Sequence, residues 1–153
     1  MREQIIQILM GMLGTFGFSL LFHLRWRKIV WVVLAAGFSW ATYLLAMHFS
    51  EQVWVATLLA TCTAGVASFI FARTMKAPFI VFVVPILVPL IPGGDLYRTT
   101  YHLVMGNGEL FRHQATVLAE ESGAMAFGII LVSCLTHVPF RIHKNFRAKG
   151  KTE

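Results

Sequence analysis

Residues 78–98 read PFIVFVVPILVPLIPGGDLYR. The stretch is apolar and is broken by Pro85, Pro89 and Pro92. It runs through Gly93-Gly94 into Asp95, Tyr97 and Arg98. Phe79 to Ile91 is 13 residues, which as a helix is ~20 Å, against a hydrocarbon core of about 30 Å. Continuing from Leu96 to Met105 supplies the missing length. The stretch therefore reads as a membrane helix broken near its middle. Unpaired backbone cannot face lipid, so such a break is buried in protein or lines a polar cavity. Broken helices of this kind mark binding sites in transporters.

The rest of the chain agrees with a membrane setting. Of its 153 residues, 57% are hydrophobic and 13% charged, and the mean hydropathy is +0.69. A water-soluble domain has about 45–50% apolar residues. The chain reads as an all-α integral membrane protein, one transmembrane domain over residues 1–153. Five spans are expected, at about 4–22, 29–47, 53–72, 79–105 (broken at Pro-Gly-Gly) and 115–138, with a basic tail at 139–153. Ile5–Phe22 is longer than a signal-peptide core and lacks a clear small-x-small cleavage site, so it counts as a span. The connections are short, which makes neighbouring helices antiparallel.

The net charge of +6 would suggest nucleic acid only if the basic residues formed one patch. They instead flank the apolar segments. Arg25, Arg27, Lys28, Arg73, Lys76, Arg141, Lys144, Arg147, Lys149 and Lys151 collect on one side, and Arg2, Arg98 and Arg112 on the other. By the positive-inside rule, the amino terminus is outside and the carboxyl terminus cytoplasmic. The rival is four spans with a re-entrant hairpin at 79–105, which would spoil this asymmetry. Cys62 and Cys134 lie in apolar stretches and read as small hydrophobes.

Small residues recur at helical spacing: Gly11, Gly14 and Gly17 in the first span, Ala60, Ala64, Gly65 and Ser68 in the third, Ala124 and Gly128 in the fifth. Such faces let membrane helices approach closely, within the chain or against a partner. Trp26, Trp31, Trp40, Tyr43 and Trp54 read as interface anchors.

Among residues that carry chemistry, Asp95 comes first. Its position predicts an N-cap for a helix starting at Leu96. An ionisable residue at membrane depth also points to a task, and a half-helix N-terminus offers free N–H groups to an anionic ligand group. Asp95 suits a substrate amine or a proton; Arg98 suits a substrate carboxylate, or neutralises Asp95, or anchors at the outer interface. Glu120 and Glu121 point about 100° apart on a helix, so at most one readily faces the bundle interior. His102 follows Arg98 at i+4, as Tyr101 follows Tyr97. No two histidines have HxxxH or HExxH spacing, so no metal or cofactor is expected. No Ser-His-Asp or Cys-His grouping and no phosphate loop stands out, so neither an enzyme nor an ATP-driven pump is expected.

The run Arg73…Pro78…Pro89-Leu90-Ile91-Pro92-Gly93…Tyr97 resembles the small, YjjB-like subunit of the bacterial threonine/serine exporter family. Gly17-Phe18 with Phe22 ahead of the first basic loop is similar to that family's opening. The resemblance implies a secondary exporter subunit in the bacterial inner membrane for threonine, serine or related small carboxylic acids, dicarboxylates included. It implies a larger membrane subunit as partner, in a homo- or hetero-oligomer surrounded by membrane lipid. It carries Pro89, Pro92, Gly93 and Tyr97 into the transport path, and Gly94, Asp95 and Arg98 join them by position, with His102, Glu120 and Glu121 as further candidates. Gly94-Asp95 and the loop His23-Leu24-Arg25-Trp26 depart from the family pattern. The alternative is a non-transporting assembly subunit.

Overall fold

The computed structural model describes residues 2–149, with side chains as far as Thr136. Six helices follow in order: α1 Arg2–Leu21, α2 Trp26–Ser50, α3 Val53–Thr74, α4 Ile80–Leu87, α5 Gly93–Val104 and α6 Gly108–Lys149. A 3-10 turn, Val88–Leu90, extends α4 towards the break. Four helices are long and apolar enough to cross a membrane, and α4 with α5 makes up to a fifth. The protein is thus an all-α, multi-pass membrane protein. The basic tail at 139–153 lies outside the residues whose side chains are described.

The most apolar helix is the most enclosed. In α4, Phe82, Val83, Pro85, Ile86 and Leu87 are buried, and with Leu90 they meet Val32, Ala35 and Ala36 of α2 and Ala60 and Ala64 of α3. A helix that is hydrophobic all round belongs inside a bundle. Helices α1, α2 and α3 surround α4 and its 3-10 turn, while α6 packs along the outside of α3. The large apolar side chains left uncovered, such as Leu9, Leu13, Phe38 and Ile70, suit contact with lipid. In a bilayer the separated helices remain in lipid, so burial adds little transfer energy and close packing holds the bundle. For Phe82→Ala, only the cavity term is left. At ~24 cal/mol per Å³ over about 100 Å³ that is ~2.4 kcal/mol. A thermal or denaturant titration in detergent should read a loss of that size; no loss would mean the cavity collapses.

Close approach is concentrated at small residues, as the spacing suggested. A Cβ on Gly11 would lie 3.3 Å from Pro89, one on Gly65 3.1 Å from Val132, and one on Gly128 3.0 Å from Thr61. These glycines therefore pack helices within the chain. Gly14, Gly17 and Gly123 meet nothing within 4 Å. Gly37, which periodicity did not single out, sits against Met12.

The break itself is a 54° bend between Ile80–Leu90 and Gly93–Val104. A bend of this size at a short break occurs in a broken span or in a re-entrant loop. Pro89 and Pro92 remove two backbone donors, and Pro92, with φ −74° and ψ 57°, stands outside helical geometry. Helix α5 then starts at Gly93, not at Leu96. Asp95 is therefore not the N-cap; the capping position is Pro92, with no side-chain capping bond.

The aromatic residues divide. Trp26, Trp31 and Trp54 are exposed, as anchors would be. Trp40 and Tyr43 stack at 5.1 Å and pack against the core, so these two belong to the interior wall.

Candidate functional site

The first turn of α5 carries Asp95 into the space beside α6. A helix needs four acceptors for its first four N–H groups. Gly93 donates to the Ile91 carbonyl at 2.7 Å and Leu96 to the Pro92 carbonyl at 3.0 Å. The amides of Gly94 and Asp95 between them have no backbone acceptor among the described residues. The partial positive charge of the helix end is therefore open where the chain bends.

Helix α6 supplies the opposite wall. It begins at Gly108, seven residues before the expected start of the span. Glu121 is thus more than three turns into the helix rather than one or two. Its residue is only 7% exposed, whereas Glu120 is exposed. At most one of the two glutamates is expected to face inward, and the buried one is Glu121. Its carboxyl lies near that of Asp95. Gln114, two turns earlier on the same face, donates from Nε2 to Asp95 Oδ1. From α2, Tyr43 stands close enough to feel both carboxyl groups.

Asp95, Thr99 and His102 form the stripe of α5 that faces α6. Thr99 is buried and donates to the Asp95 carbonyl at 2.7 Å. His102 is half-buried. Arg98 does not share that stripe; it is 3.8 Å from Asp95 and its side chain is 68% exposed. Tyr97 is 70% exposed and stacks on Tyr101 at 6.4 Å. Pro89 is held against Gly11, and Gly93 and Gly94 are uncovered. The structure brings Asp95 and Glu121 together and leaves Tyr97, Arg98 and Glu120 looking outward.

Three buried polar atoms near this wall, Trp40 Nε1, His102 Nδ1 and Glu121 Oε2, have no hydrogen-bond partner among the described residues. Buried polar groups are ordinarily paired, so each orphan calls for an explanation. Two acids side by side also repel unless a proton or cation lies between them. Beside the acids lie the Arg98 guanidinium, 3.8 Å from Asp95, and the amides of Gly94 and Asp95. Among the described residues no group of His, Cys, Asp and Glu has the make-up of a metal site.

Sequence reasoning missed Tyr43 and Gln114. Gln114 was detectable, because it precedes Glu121 by seven residues and so lies on the same helix face. Tyr43 left no such signal, since it comes from a helix distant in the chain.

No solved structure matches this one. A family model described as threonine/serine exporter, ThrE, matches residues 7–135, a range that takes in the buried helix α4, the break and the Asp95–Glu121 wall. The chain belongs to the threonine/serine exporter family.

Proposed function

We propose that this chain is a subunit of a secondary exporter for small amino acids, threonine and serine or related small carboxylic acids, working with a larger membrane subunit. The observation that carries the reading is the Asp95–Glu121 pair, Glu121 buried and Asp95 partly buried, set beside the open N-terminus of α5. An amino acid presents one carboxylate and one ammonium group. The Gly94 and Asp95 amides suit the first, as helix N-termini do for anions. Asp95 and Glu121 suit the second. A molecule of that charge pattern suits both halves of the site. Pro89, Pro92 and Gly93 shape the bend that exposes the amides, and Tyr97 and Arg98 lie at its outer rim. The basic ends at residues 25–28 and 73–76 support an inner-membrane orientation with these loops in the cytoplasm.

Export is tested in a deletion strain loaded with precursors of threonine, serine and succinate. Internal and external levels are followed against strains restored with the wild-type chain or with Asp95→Asn. Retention cured only by the wild type is the expected result. Unchanged efflux of every compound in all strains removes these substrates and leaves the assembly-subunit reading.

A further inference from the structure

Helix α5 is covered on one side only. Within the chain it packs on α6 and on nothing else among the described elements. Gly94, Arg98, Tyr101 and Met105 succeed one another at i, i+4, i+7 and i+11, so they form a second stripe beside the Asp95–Thr99–His102 face. This stripe holds a mostly exposed arginine, whose ion pair among the described residues is the 3.8 Å contact with Asp95. A guanidinium is costly against hydrocarbon, so a polar surface shaped to take a helix suits it.

The chain carries a matching surface. An open groove of about 450 Å³ runs between α3 and α6, lined by Trp54 and Leu58 on one side and by Ala119, Glu120, Gly123 and Phe127 on the other. A Cβ added to Gly123 would meet nothing within 4 Å, so the floor has room for a close helix. Glu120 is exposed there and makes no ion pair among the described residues. Depth also agrees. Glu120 adjoins Glu121, which lies near Asp95, and Arg98 is one turn from Asp95. The two charges therefore lie within about one helical turn, ~5 Å, of the same level.

We infer that the outer stripe of α5 docks in the α3–α6 groove of a second copy of this chain, with Arg98 paired to Glu120 of the partner subunit. A second copy is favoured because the opposite charge, the level and the small-residue floor are all present in this chain. Gln114 and Glu121 turn towards α5, and Glu120 points about 100° away from Glu121. The contact joins two different surfaces and is head to tail, which makes a ring where the rotation closes.

The inference stands apart from the export reading, and its test reads contact rather than transport. The full chain is expressed in native membranes with Cys62 and Cys134 changed to Ala. Neighbouring copies share one orientation, so α5 runs antiparallel to the α6 it meets. Tyr101 then faces Thr116, one turn from the charge pair. Chains carrying Tyr101→Cys and chains carrying Thr116→Cys are given different tags, co-expressed and oxidised. Met105→Cys with Arg112→Cys repeats the test two turns further along. The expected result is a crosslinked dimer bearing both tags, a ladder from chains carrying both substitutions, loss of the dimer on Arg98→Glu, and its return on adding Glu120→Arg. Absence of the mixed dimer at both pairs in membranes that contain the chain overturns the proposal. So does crosslinking confined to two Tyr101→Cys chains, which is a two-fold contact, or to a different protein.

Discussion

Replacing Glu121 by glutamine is expected to cut export by about a hundredfold while leaving the protein at least as stable as the wild type. Glutamine keeps the shape of the side chain but removes its charge. Where a buried carboxylate pairs with a cation, the lost contact is worth about 3 kcal/mol, or about a hundredfold. Stability moves the other way because two acids packed together in a buried site repel one another. Binding sites often carry such a cost, and relieving it raises stability at the expense of function. Glu109→Gln, exposed in the first turn of α6, is the matched control and should export normally. Efflux assays and melting curves on the same preparations check both signs. A lower melting temperature with export retained would make Glu121 a structural acid.

The second large effect falls on the seam between α3 and α6. Gly128→Leu should separate these helices and destabilise the protein by about 3 kcal/mol or more, since overpacking of a tight core costs about 1–3 kcal/mol even when side chains can yield. Here the new Cβ would lie 3.0 Å from Thr61 and 3.4 Å from the Leu58 carbonyl, which is backbone. Helices α3 and α6 share the most extensive contact in the molecule, so the strain cannot be absorbed at one point. The same substitution at Gly14, which faces open space, should leave the melting transition within about 0.5 kcal/mol of wild type. Equal effects at the two sites would show that helix propensity, not packing, sets the loss.

The membrane class, the helical architecture and the break in the fourth apolar segment were legible in the amino-acid pattern. Span length and charge asymmetry suffice for them, because a bilayer imposes one thickness and one satisfied backbone on every crossing. Proline and glycine also act locally, so 85–94 announced its own interruption. The N-cap role of Asp95 was misread for a reason visible in the fold: α5 starts two residues after the bend begins, which moves Asp95 inside the first turn.

The site was only half legible. Asp95 could be found from its place after Pro92-Gly93-Gly94, but its partners could not. Glu121 lies 26 residues further on, and whether it or Glu120 turns inward depends on the rotation of α6 about its axis. That rotation is set where Gly128 and Gly65 let α3 and α6 close together. The 54° bend then decides that α5 leans on α6 alone, bringing Asp95 to Glu121 and Gln114 while Arg98 is left outside. Sequence by itself determined which segments are long and apolar enough to cross a membrane and where one of them breaks, because those depend on short-range chemistry against a uniform solvent. Only the tertiary structure decided which acid faces which, because that depends on how close, and at what rotation, small residues allow separate helices to pack.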